Sequence, residues 1–131
     1  IALGKQMGES MIDEGADVVF AYANELGFGA IDAAISKGVY VVGYSSDQTV
    51  IDPNVVVASI DFDFSTMYKW AIESYLNGDL AGGTLHEVGI AEDIFVPIYT
   101  DNISQDVKDR VDAAIEEYKA GGVDLTALFD E

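Results

Sequence analysis

Two short polar loops hold the side chains of this chain best suited to hydrogen-bond chemistry. Ala23-Asn24-Glu25-Leu26-Gly27-Phe28-Gly29 follows the apolar run Ala16–Tyr22, and Tyr44-Ser45-Ser46-Asp47-Gln48 follows Val39–Gly43. Asn24 and Glu25 offer donors and acceptors to a polar ligand, while the Glu25 carboxylate repels phosphate. Gly27-Phe28-Gly29 ahead of a helix either cradles an anion on free backbone N–H groups or forms a simple tight turn. No third glycine completes a dinucleotide fingerprint, and no Gly-Lys-Ser/Thr completes a phosphate loop. In the second loop, an ionised Asp47 could accept two hydrogen bonds, as from vicinal hydroxyls. The same residues also suit an Asx-type turn closing the strand.

Asp61 and Asp63 alternate with Phe62 and Phe64 at strand period, and Asp63 reads as a helix N-cap. Paired carboxylates can do acid–base work, but no nucleophile with an adjacent base accompanies them, so the chain reads as non-enzymatic. The single histidine, His86, and the lack of cysteine exclude metal sites of the His/Cys type. Carboxylate spacing of the EF-hand kind is missing as well. No metal and no cofactor are expected.

The elements that must position these loops are legible in hydrophobic periodicity. Residues 3–14 read as a helix with Leu3, Met7 and Met11 on one face, ended by Gly15. Ala16–Tyr22 and Val39–Tyr44 are continuous apolar runs, the pattern of strands buried on both faces. Between them, residues 28–37 read as a helix with Phe28, Ile31, Ala34 and Ile35 inward, ended by Gly38. Val55–Ile60 follows as a strand after the turn Asp52-Pro53-Asn54. A helix at about 65–77 carries Tyr68, Ile72, Tyr75 and Leu76; Leu85–Ile90 and Ile94–Tyr99 are short strand candidates. Asn102 and Ser104 offer caps for a last helix at about 104–120, with Val107, Val111, Ala114, Ile115 and Tyr118 as its core stripe. The tail Phe129-Asp130-Glu131 reads as frayed. This order predicts a three-layer α/β sandwich with a mainly parallel sheet, whose ligands bind at the carboxyl ends of the strands.

The 131 residues suffice for one sizeable core, and half are hydrophobic. Acidic residues outnumber basic ones 24 to 6, for a net charge of −18. No basic footprint exists for nucleic acid, and an anionic bilayer would repel this surface. The acidity suits solubility, a salt-adapted or extracellular setting, or a cationic ligand. The chain opens at Ile1 and enters helical sequence directly, although a parallel crossover needs a preceding strand. It therefore reads as a fragment of a longer protein, with any localisation signal outside it.

Taken in order, Gly15–Phe20, the loop ending Gly27-Phe28-Gly29-Ala30-Ile31-Asp32-Ala33-Ala34, and Val41-Val42-Gly43-Tyr44-Ser45-Ser46-Asp47-Gln48 resemble the basic membrane protein (BMP) family. These are purine-nucleoside receptor-like substrate-binding lipoproteins of ABC transporters. Val57-Ala58-Ser59-Ile60, Leu76-Asn77-Gly78, Val88-Gly89-Ile90 and Ala120-Gly121-Gly122-Val123 extend the resemblance over nearly the whole chain. It implies the C-terminal portion of a periplasmic-binding-protein type I fold: two α/β lobes, a hinge of crossing strands, and a solute trapped in the interlobe cleft. Residues 1–58 would belong to the second lobe. Residues 59–131 would hold the hinge crossings, a first-lobe helix and a C-terminal segment returning to the lobes.

The resemblance places ligand contacts at Asn24, Glu25, Gly27, Tyr44, Ser45, Asp47 and Asp61. It implies an extracytoplasmic, cell-surface lipoprotein or periplasmic protein that hands its solute to ABC permease subunits. An effector-sensing domain of a regulator or sensor on the same fold is the alternative. Nucleoside-binding members carry Gly-Val-Asp-Ser-Asp-Gln where this chain has Gly43-Tyr44-Ser45-Ser46-Asp47-Gln48, so Ser45 replaces an Asp that contacts ribose hydroxyls. The family's glycine-rich loop becomes Asn24-Glu25-Leu26, and a lysine of the crossing strand gives way to the Asp61-Phe62 region. A neutral Ser loses a charge-assisted bond to a diol. Added carboxylates at Glu25 and Asp61 suit an amine-bearing solute instead. With the first lobe absent, the surface around Tyr68, Trp70 and Tyr75 would lack its partner and self-associate.

Overall fold

A computed structural model describes residues 1–123, and the tail expected to fray, Phe129-Asp130-Glu131, lies outside the described residues. By internal contacts the chain divides into two units, one of Ile1–Phe62 with Val96–Ile103, the other of Asp63–Phe95 with the chain from Ser104 onward.

In the first unit α1 (Ala2–Asp13), β1 (Val18–Phe20), α2 (Glu25–Lys37), β2 (Tyr40–Ser45) and β3 (Val56–Phe62) follow in sequence. The four-stranded sheet has the order β1-β2-β3-β4, with β4 at Phe95–Tyr99. β1 and β2 pair in parallel, with Phe20 beside Val42. β2 and β3 also pair in parallel, with Tyr44 beside Ile60 and Ser45 beside Asp61. The Thr100 N–H, just past the end of β4, donates to the Val57 carbonyl near the start of β3. β4 is therefore antiparallel. The mainly parallel α/β sheet expected from the sequence is present, with all three parallel strands ending at the same edge.

The core is built from small residues. Val19, Ala21, Ala30, Ile31, Ala34, Val41 and Val56 form one buried cluster under α2. The inward face of α2 is Gly27, Gly29, Ala30, Ile31, Ala33 and Ala34. Phe28 and Ile35, expected inside, are exposed. The same correction applies to α1, which docks through Gly4 and Gly8 while Leu3, Met7 and Met11 remain exposed.

The reason is close approach. A Cβ on Gly4 would fall onto the Leu26 carbonyl, and one on Gly29 onto the Ile1 carbonyl and, at 2.6 Å, the Lys5 amide nitrogen. Two helices this near exclude large side chains from their seam, which leaves the bulky stripe outside. Ion pairs Lys5–Asp32 (2.8 Å) and Lys37–Asp13 (2.7 Å) tie the helices at two levels. Gly38 caps α2 in the left-handed region at φ 72°.

β1 is shorter than the apolar run predicts and is buried on one face only: Val19 is covered, and Val18 and Phe20 stand half-exposed. α2 begins three residues earlier than expected, so Gly27-Phe28-Gly29 forms helix rather than loop.

The second unit holds α3 (Phe64–Asn77), a 3-10 turn at Ile90–Glu92 and α4 (Gln105–Lys119). Asp63 caps α3 and Ser104 caps α4, both as the sequence predicts. Leu85–Ile90 is not a strand; Leu85 is exposed and the segment reaches the 3-10 turn without joining the sheet. Lys119 pairs with Asp93 at 2.7 Å, joining α4 to the chain just after that turn. Tyr68, Ile72, Tyr75 and Leu76 of α3 are all at least 60% exposed, so the stripe expected to pack finds no cover in this chain.

Substituting Gly29→Ala tests the seam. Helix propensity alone would favour alanine by about 1 kcal/mol, but the clash with backbone atoms is expected to destabilise the protein by roughly 1–3 kcal/mol. Gly82, whose Cβ position is open, should tolerate alanine with little change. Chemical denaturation of both variants checks this, and a Gly29→Ala variant as stable as the parent would refute the seam.

Candidate functional site

The parallel strands deliver their loops to one edge of the sheet. Beyond β1 the Ala21 N–H still bonds the Val42 carbonyl at 2.9 Å, so the chain stays registered as far as Tyr22. Tyr22 and Tyr44 then meet with ring centroids 4.4 Å apart and planes at 61°, and Phe20 joins them at 5.8 and 6.3 Å. Tilted and edge-on rings at such spacings are mutually attractive. A shallow cavity of about 230 Å³ opens here, lined by Tyr22, Ala23, Asn24 and Tyr44. Burial pushes the Tyr44 hydroxyl above its ordinary range, and its hydrogen bond with Tyr22 reinforces the shift. At neutral pH it is an uncharged hydrogen-bonding group.

Asn24 is the N-cap residue of α2, yet its side chain makes no capping bond. The amide lines the cavity. Glu25 follows it, exposed, in the first turn of α2, where the helix dipole favours a carboxylate. Gly27 is buried one turn in. Its N–H donates to the Asn24 carbonyl at 3.0 Å, and a Cβ there would lie 3.0 Å from the Ala21 carbonyl oxygen.

Ser45 ends β2 with φ at 75°, a left-handed conformation costly for a non-glycine residue, and its register partner is Asp61 of β3. Asp47 Oδ1 accepts from the Thr49 N–H at 3.0 Å and from the Thr49 hydroxyl, closing the Asx-type turn that the sequence allows. Asp47 itself is exposed.

The structure thus brings Asn24 and Tyr44 to one cavity and Ser45 beside Asp61. Gly27 lies in the helix packing and does not line the cavity. Sequence reasoning missed Tyr22, read only as the end of a strand; an aromatic closing an apolar run, two residues before Asn24, was its signal. Asp63 is engaged at α3, where Oδ1 accepts from the Thr66 N–H at 3.0 Å and Oδ2 from the Thr66 hydroxyl at 2.7 Å. Among the described residues no group of three or more His, Asp or Glu side chains could hold a metal ion.

Residues 1–123 match the family described as ABC transporter substrate-binding protein PnrA-like. The chain belongs to this PnrA-like family. Basic membrane protein D of Borreliella burgdorferi (strain JD1) is 32% identical over 104 residues, 77% of this chain and 30% of that protein. A solute-binding protein of an ABC transporter system from Aeropyrum pernix K1 superposes with a TM-score of 0.71 at 18% identity, covering 94% of this chain and 44% of that one. A transcriptional activator of the comK gene from Bacillus halodurans superposes with a TM-score of 0.75 at 17% identity, covering 90% and 42%. The chain therefore spans less than half the length of these relatives, and it shares the fold of solute-binding proteins. Among the described residues no helix is long and apolar enough to cross a membrane.

Asp63 yields a pH prediction. Hydrogen bonds from the Thr66 hydroxyl and amide hold its carboxyl below the usual range. A lowered folded-state pKa means that the cap's stabilisation is full above the unfolded value, near 3.8, and is lost as pH falls through the folded value. Thermal melts of the parent should therefore drop more steeply below pH about 4 than those of Asp63→Asn; parallel curves would refute this role.

Proposed function

We propose that this chain is part of the solute-binding component of an ABC-type importer, non-enzymatic and extracytoplasmic, which captures a small polar solute and presents it to permease subunits. The observation that carries the reading is the meeting of the β1 and β2 loops, with Tyr22, Asn24 and Tyr44 around one cavity. Membership of a substrate-binding family supports the same role. Residues 1–58 are assigned to the second lobe and 59–131 to the hinge crossings, a first-lobe helix and the returning segment. In this reading the solute touches both lobes at once, and that shared contact drives closure.

Asn24, Glu25, Tyr44, Ser45, Asp47 and Asp61 are the proposed contacts, with Gly27 as the helix packing beneath them. The rings of Tyr22 and Tyr44 suit a planar base or, edge-lined by carboxylates, an amine. Lys5, Lys37 and Lys119 are each bonded to a carboxylate, so the cationic side chains compensate locally while the surplus acidity remains at the surface. The ligand is accordingly nucleoside-like or an amine-bearing variant. An effector-sensing role is the second reading, favoured by the likeness to the Bacillus halodurans activator. The exposed row Tyr68, Ile72, Tyr75 and Leu76 is proposed to drive self-association of the 131-residue chain when it is produced alone.

Two measurements test these proposals. The intact protein carrying this chain, purified without refolding, should release a small molecule from native mass spectrometry. Asn24→Ala should weaken that molecule's binding by about tenfold, the loss of one hydrogen bond of about 1.4 kcal/mol. An empty protein, unmoved thermally by nucleosides and amines, would favour the sensor reading. Light scattering of the isolated chain should show dimers or larger species; a monomer at high concentration would refute self-association.

A further inference from the structure

The end of β2 is held by a buried polar clamp that neither the family match nor the ligand contacts explain. Ser59 of β3 has no solvent exposure. Its hydroxyl donates to the Ser46 carbonyl at 2.6 Å and accepts from the Gln48 N–H at 3.3 Å. Gln48 is itself only 6% exposed, and its Oε1 accepts from the Tyr44 N–H at 3.2 Å. The clamp therefore grips the chain on both sides of Ser45, at the amide of Tyr44 and at the carbonyl of Ser46. Between those points Ser45 sits at φ 75°. Gly43 leaves the room: a Cβ there would lie 2.8 Å from Gln48 Cβ, Gln48 Oε1 and Ser59 Oγ.

A left-handed serine persists only where its surroundings over-determine it. The bonds that flank Ser45 supply that determination. A hydroxyl has one hydrogen to donate and lone pairs to accept, and Ser59 uses both functions between two different loop residues. Burial makes each of these bonds costly to leave unmade.

We propose that Ser59 and Gln48 are positioning residues: they hold Ser45 in its left-handed conformation and thereby fix Tyr44 at the cavity and Ser45 beside Asp61. Ser59 needs no contact with solute in this role. Its consequence for binding rests on the site proposed above; its consequence for the loop does not.

The test uses the intact protein with selectively 13C,15N-labelled serine, in the parent, Ser59→Ala, Gln48→Met, Ser45→Gly and the Ser59→Ala/Ser45→Gly double variant. Without ligand, the Ser45 Cα and Cβ shifts should report positive φ in the parent and move to the negative-φ range in Ser59→Ala. Gln48→Met, which keeps side-chain length and removes the acceptor, should do the same and serves if Ser59→Ala fails to fold. Ser45 shifts that stay at positive φ in whichever of these two variants folds overturn the proposal, whatever binds in the cavity.

Titration with adenosine reads the second consequence. Ser59→Ala should lose about tenfold in affinity, and adding Ser45→Gly should restore it to within about threefold, because glycine takes positive φ without help. If Ser59→Ala costs as much affinity in the presence of Ser45→Gly as in its absence, the hydroxyl is merely structural and positioning is overturned. No adenosine binding in the parent would count against the nucleoside form of the site, and the serine shifts would still decide the clamp.

Discussion

One solvent-free hydroxyl, on Ser59, ties the loop after β2 to the neighbouring strand. It satisfies Ser46 and Gln48 together, while the Gln48 amide oxygen satisfies Tyr44. Everything proposed for the site stands on where that loop leaves the sheet. A parallel pair fixes how far two strands extend together, so Ser45 comes to lie beside Asp61 by register alone. The direction of the chain after that is a separate matter, and buried polar groups settle it.

The opposite side of the problem is solved with small residues. Gly4, Gly8, Gly29 and Ala33 let α1 and α2 approach until backbone meets backbone. This seam sets the start of α2 and with it Asn24, whose amide is left to the cavity because it does not cap its helix. A cap bond from Asn24 would have stabilised α2 by about 1 kcal/mol. A helix start that forgoes this stabilisation while lining a cavity is the kind of local inconsistency expected where a site is built.

Much of this was legible in the sequence. The parallel strands, the loops at their carboxyl ends, the glycine ending α2 and the caps Asp63 and Ser104 all follow from local rules that tertiary contacts did not override. The inward faces of α1 and α2 were misread because periodicity weights large apolar residues, whereas a close helix seam selects the small ones. Leu3, Met7, Phe28 and Ile35 formed the louder pattern and stand outside. Leu85–Ile90 has strand-like composition and no strand, since β propensity expresses packing against neighbours that this segment lacks. The Ser45 conformation was invisible because serine carries no signal for positive φ; only Gly43, Gln48 and Ser59 together produce it, and they are brought together by the fold.

The central claim is that the solute sits at the carboxyl ends of β1 and β2. A crystal structure of the intact protein, purified without refolding so that its own solute is retained, tests this most directly. The account predicts density for a small molecule within hydrogen-bonding distance of the Asn24 amide and in contact with the rings of Tyr22 and Tyr44. A solute bound elsewhere, with these three side chains facing only water, would contradict it.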